Sequence, residues 1–129
     1  IKIINYNIIM GDMISEEQLF NSQNVLANNQ MIIVKFTAEW CAPCQGIKSL
    51  VEELVSKLPS SIQYHEIDID ESIELYAKLK NKRMLNGIPA ILGYKGGEKD
   101  IWYVPDDSVL GGDKVQITAF FDRCIEYGN

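Results

Sequence analysis

The sequence predicts an α/β domain: a central mixed sheet of five strands flanked by four helices, in the order βαβαβα then ββα. Three observations carry it. Segments with apolar residues at alternate positions take turns with segments at helical spacing, the pattern of strands joined by crossover helices. One segment, M-I-I-V-K-F-T at Met31 to Thr37, is β-rich and nearly continuously apolar, as expected of a central parallel strand covered on both faces. Late in the chain, Gly96-Gly97 sits between two strand-like runs, a hairpin signal that adds an antiparallel edge.

Each element has its own reason. Ile3 to Ile9 reads as a first strand. Ser15 can cap the helix that follows, Gln18 completes a capping box, and Ile14 can staple to Leu19. Met31 to Thr37 is the second strand. After Cys41, the residues Ile47, Leu50, Val51, Leu54 and Leu58 keep helical spacing up to Pro59. Ile62 to Ile69 is a strand and Glu71 to Lys80 a short helix. Ala90 to Tyr94 and Lys99 to Val104 form the hairpin, where Trp102 and Tyr103 read as packing residues. Ile117, Phe120, Phe121, Cys124 and Ile125 make one stripe of a final helix. The one linker-like stretch, residues 105 to 113, is too short to divide domains, so residues 1–129 read as a single domain.

Composition narrows the function. A chain of 129 residues that is 47% hydrophobic and 23% charged suits one compact domain with a real core. A formal charge of −6 argues against nucleic acid or an anionic membrane as the main partner. The basic run Lys80, Lys82 and Arg83 reads as a solvated loop. No window approaches the ~18 apolar residues of a membrane helix, and the opening I-K-I-I-N-Y-N-I-I-M lacks a signal peptide's long apolar region and cleavage site. A leader upstream of Ile1 stays open. Three cysteines are odd in number and too few for a disulfide-stapled secreted scaffold, which favours a reducing compartment and a cytoplasmic location.

The chemistry concentrates in T-A-E-W-C-A-P-C-Q, Thr37 to Gln45. An open α/β sheet gathers function at the carboxyl ends of its strands, and Trp40 to Cys44 lies there. With Cys41 at a helix start and Cys44 three residues on, both sulfurs fall on one side of the first turn, close enough to bond. Unpaired backbone N–H groups and the positive end of the helix dipole favour a thiolate on Cys41, the reactive species. Pro43 fits the first turn, where its missing donor costs little. Zinc ligation would have to draw on Cys124 and His65, because there is no second C-x-x-C. A purely structural disulfide would close too small a loop to constrain the unfolded chain much. Cys124 reads as core and His65 as structural.

W-C-A-P-C behind an apolar strand, with G-I-P-A at Gly87 to Ala90 opening a later one, resembles the thioredoxin family, and the element order extends the resemblance over most of the chain. The resemblance implies the thioredoxin fold and a protein-disulfide oxidoreductase without metal or bound cofactor. It makes Cys41 the exposed nucleophile, Cys44 the buried resolving thiol, Trp40 the flanking aromatic and Pro89 a cis-proline facing the disulfide. Trp40, Ala42, Pro43, Ile88 and Pro89 would form the docking surface, with the Ile88 backbone pairing to an extended substrate segment. The implied partners are disulfide-containing proteins and, as electron donor, a thioredoxin reductase. A disulfide oxidase or isomerase of a secretory compartment shares the chemistry, and a binding module without turnover is the reading from another class.

This chain departs from the family pattern at several points. Ala42-Pro43 replaces the usual Gly-Pro, and Ala90 stands where Thr usually follows the cis-proline. Residues 98–116 are longer than usual, which leaves Gly111 and Gly112 as candidates for the groove glycine. Lys35, six residues before Cys41, occupies the position of the family's buried acid. Aligning I-D-I-D-E-S puts Glu66 on the neighbouring strand, so a Lys35–Glu66 charge pair beneath the active site is expected; the alternative is that Lys35 snorkels to the sheet's end.

Overall fold

The computed structural model describes residues 15–97, 99 and 101–129. The first strand expected at Ile3 to Ile9 and the Ile14 staple lie outside them. Helix α1 (Glu16–Val25) opens on the expected capping box: the Ser15 hydroxyl accepts from the Gln18 N–H at 3.1 Å, and the Gln18 side chain accepts from the Ser15 N–H at 2.8 Å. The chain then enters β1 (Met31–Thr37), buried along nearly its whole length.

From β1 the chain runs through α2 (Ala42–Gly46) and α3 (Lys48–Val55) to β2 (Ile62–Asp68), then through α4 (Glu74–Asn81) to β3 (Ala90–Lys95), β4 (Asp107–Leu110) and α5 (Lys114–Gly128). The described strands form a sheet in the order β2-β1-β3-β4. Strand β1 is parallel to β2 and antiparallel to β3, and β4 is antiparallel to β3. Alternation along β1 divides the core. Met31 and Ile33 pack with Val51, Leu54, Phe120 and Phe121 of α3 and α5, whereas Ile32, Val34 and Phe36 pack with Leu19, Leu75 and Leu79 of α1 and α4. Helices thus cover both faces, as the alternating pattern predicts.

Two expectations need correction. The single helix expected after Cys41 is two helices, interrupted at Ile47, whose N–H turns back to the carbonyls of Cys44 and Gln45. Gly46, a weak helix former, stands beside the break. The described residues therefore hold five helices and four strands.

The hairpin also differs. The described residues of the stretch expected as a strand at Lys99 to Val104 form none; β3 ends at Lys95 and the next strand begins at Asp107, which pairs with Gly93. The reason lies in side chains distant in sequence. Gln23 Nε2 donates to the Trp102 carbonyl at 3.0 Å and the Tyr94 hydroxyl donates to the Tyr103 carbonyl at 3.1 Å, so the I-W-Y-V backbone is claimed before any ladder can form. Trp102 packs edge-on against Phe20 of α1, as a packing residue should. The stretch 105 to 113 is no linker: it contains β4.

Candidate active site

The sheet's carboxyl end is where β1 delivers the chain into α2. Cys41 is the N-cap of α2, with extended backbone (φ −87°, ψ 104°), and its sulfur accepts from the Cys44 N–H at 3.2 Å. The turn is held from below by the Ala38 carbonyl, which accepts from the Cys41 N–H at 3.2 Å and from Gln45 Nε2 at 3.0 Å. Cys41 and Cys44 are disulfide-bonded, with Cα atoms 5.2 Å apart. In this oxidised form both are covered: Cys41 is 5% exposed and Cys44 1%.

The expected docking residues gather around the pair. Ile88–Pro89 is a cis peptide, and the Ile88 carbonyl oxygen lies 3.9 Å from Cys41 Sγ. Ala42 and Pro43 are exposed, Ile88 is half-buried and Pro89 is buried. Trp40 is 67% exposed, with its indole N–H donating to Asp70 Oδ2 at 2.8 Å. Asp70, missed by the motif reading, is brought in from the turn after β2. Both candidate glycines border the groove. Gly111, at φ +97°, donates its N–H to the Pro89 carbonyl at 2.9 Å, and a methyl group placed on Gly112 would stand 3.6 Å from Pro43 Cβ. The long loop before β4 hides this adjacency from the sequence.

Lys35 does not snorkel. It is 2% exposed, it faces Glu66 in the β1–β2 register, and its Nζ lies 3.5 Å from Glu66 Oε1. The same carboxylate oxygen accepts from the Tyr64 hydroxyl at 2.7 Å. Burial, reinforced by the Glu66 charge, pushes the Tyr64 hydroxyl well above its ordinary range, so it stays protonated and donates. Cys124 lies in the core between the sheet and α5, where burial pushes its thiol up to about 12. Among the described residues, Cys124 and His65 are not gathered with the cysteine pair into any metal-sized cluster.

Comparison with known proteins agrees with this geometry. The thioredoxin family model matches residues 13–118. A thioredoxin of Acidithiobacillus ferridurans is 30% identical over 99 residues, 77% of this chain and 83% of that protein. Chloroplastic thioredoxin M4 of Arabidopsis thaliana is 30% identical over 87 residues, 67% of this chain but only 40% of that longer protein. The crystal structure of thioredoxin from Trypanosoma brucei brucei shares the fold, with a TM-score of 0.67 over 98% of this chain and 99% of that one at 19% identity. A family match of this extent decides the matter: the chain belongs to the thioredoxin family, and Cys41–Cys44 is its redox-active centre for thiol–disulfide exchange.

Proposed function

We propose that the protein reduces disulfides in other proteins. The Cys41 thiolate attacks one substrate sulfur, and the other leaves as a thiolate that takes up a proton. Cys44 then loses its proton and attacks Cys41 Sγ, which closes the Cys41–Cys44 disulfide and releases the second substrate thiolate. Two electrons pass from the dithiol to the substrate. The carrying observation is the hydrogen bond from the Cys44 N–H to Cys41 Sγ at the head of α2, since a donor there favours the charged sulfur.

In this reading Trp40, Ala42, Pro43, Ile88 and Pro89 hold an extended substrate segment, with Gly111 and Gly112 leaving room beside it. A thioredoxin reductase returns the electrons, and the odd buried thiol, Cys124, favours a reducing, cytoplasmic setting. Among the described residues no helix is long and apolar enough to cross a membrane. The alternative of a secretory oxidase differs only in reduction potential, which the thiolate's stabilisation sets.

The test is insulin reduction by dithiothreitol with and without the protein, paired with equilibration of the Cys41–Cys44 couple against glutathione. Catalysed precipitation of the insulin B chain that Cys41→Ser abolishes, and a couple more reducing than glutathione, are expected. A rate no faster than dithiothreitol alone defeats the catalytic reading; a strongly oxidising couple defeats the reductase direction.

A further inference from the structure

Lys35 is an expensive residue for its place. Every other member of β1 apart from Thr37 at its end is apolar, and a buried ammonium is tolerated only when paired. The pair it makes is lopsided. Glu66 is 39% exposed, so water and the Tyr64 hydroxyl share its carboxylate, while the ammonium itself is sealed from solvent. A carboxylate screened by water neutralises its partner incompletely, and the interior on the Lys35 side keeps a net positive potential.

That interior lies under the redox centre. Lys35 opposes Ile91 of β3, two residues beyond Pro89, a separation of roughly 7 Å at the rise of a strand. Its side chain shares the sheet face of Met31 and Ile33, which Ile47 and α3 cover in direct continuation of the helix that Cys41 caps. The titratable and charged groups around this face are Tyr64, Glu66 and, by alternation, Asp68 of β2, Glu52 of α3, which acts on Tyr64, Cys124 of α5 and the cysteine pair in the adjoining cluster. β3 and β4 present apolar Ile91 and Val109 nearest Lys35; farther along the same face Lys95 of β3 lies over the Tyr127 ring and Asp107 of β4 is hydrogen-bonded to Arg123 of α5, and these act on Cys124.

We infer that Lys35 and Glu66 are opposed positioning residues that set the thiolate population of the redox pair: Lys35 raises it, Glu66 restrains it, and Tyr64 holds Glu66 in place. The inference rests on the exchange chemistry proposed above. Removing the carboxylate leaves the cation unopposed, lowers the thiol pKa, stabilises the dithiol form and makes the couple more oxidising; removing the cation does the reverse. No group needs to move between the oxidised and reduced states for this to operate.

The experiment follows ultraviolet thiolate absorbance against pH in the reduced protein, with the glutathione equilibrium as a second readout. Glu66→Gln keeps the size of a half-exposed side chain and should lower the lower of the two apparent thiol pKa values by on the order of one unit, about tenfold in thiolate population. Glu66→Asp, which keeps the charge, should return it toward wild type, a rescue that a packing role would not give. Lys35→Met should raise it. If Lys35→Met fails to fold, the two Glu66 variants decide alone. An unchanged or raised pKa in Glu66→Gln overturns the inference. Because titration needs no turnover, a wild-type protein inactive on insulin would defeat the reductase reading and leave this test standing.

Discussion

Cys41 and Cys44 are three positions apart and differ in their place on α2. Both pack with Ala38, but Cys41 caps α2 and receives a backbone N–H, whereas Cys44 lies inside the helix and is the more deeply buried. Cys124 is disfavoured because burial both hides its thiol and pushes it up from an ordinary value of 9.0 to about 12, a thousandfold loss of thiolate at neutral pH, about 1.4 kcal/mol per pH unit. Brief alkylation of the reduced protein at neutral pH should therefore modify Cys41 first and Cys124 last. Peptide mapping checks the order, and preferential labelling of Cys44 would reverse the assignment of nucleophile and resolving thiol. At this scale the sequence was informative, because W-C-A-P-C and G-I-P-A carry their chemistry locally. Asp70 was not visible. Nothing in D-I-D-E-S says which of its carboxylates will meet a tryptophan thirty residues upstream.

Among the elements, α1, β1, β2, β3 and α5 formed where period and capping placed them, since each is specified by its own side chains. The loop between β3 and β4 did not, because Gln23 and Tyr94 decide its backbone from outside it. Gly96 fixes where that loop leaves the sheet. Its N–H donates to the Gln30 carbonyl at 2.8 Å, and a Cβ there would stand 2.6 Å from Leu26 Cβ and 2.9 Å from the Leu26 carbonyl oxygen. The obstructing atoms are mostly backbone and cannot step aside. Gly96→Ala should destabilise the protein by about 1–3 kcal/mol, the usual cost of overpacking. Urea unfolding should show a lower midpoint at unchanged slope. Insulin reduction by the folded fraction should be unaffected, because Lys95 pairs with Met31 while Ala90, beside the active site, pairs with Phe36 at the other end of β1. Wild-type stability would show that the connection after α1 yields freely.

Across the whole molecule the two sheet faces carry different burdens. The face of α1 and α4 buries the uncharged Gln23 and Tyr94 among its apolar residues, whereas the face of α3 and α5 encloses the charged Lys35 together with Tyr64 and Cys124. The family resemblance made the Lys35–Glu66 pair legible beforehand, and the strand register bears it out; the adjacency of Gly111 and Gly112 to Pro89 and Pro43 depended on how a long loop closes and was not legible. Cys124 turns this enclosed face into a pH-dependent contribution to stability. In the folded protein its thiol holds its proton up to about pH 12, while in the unfolded chain it ionises near the ordinary value of 9.0. Between those values the unfolded state binds fewer protons than the native state, so stability is fully present below pH 9 and falls as pH rises, by up to about 1.4 kcal/mol per pH unit. The oxidised protein is the right material, since its paired cysteines do not titrate. Tyr64 and Tyr94, both raised by burial, add slopes of the same sign above their ordinary range near pH 10. From pH 9 to 10 the thiol makes the largest single contribution, and Cys124→Ala removes it alone. Urea unfolding across this range should show stability declining in wild type and declining less steeply in Cys124→Ala, whatever offset the lost sulfur imposes. Parallel slopes in the two proteins would mean that the Cys124 thiolate is accommodated in the folded core.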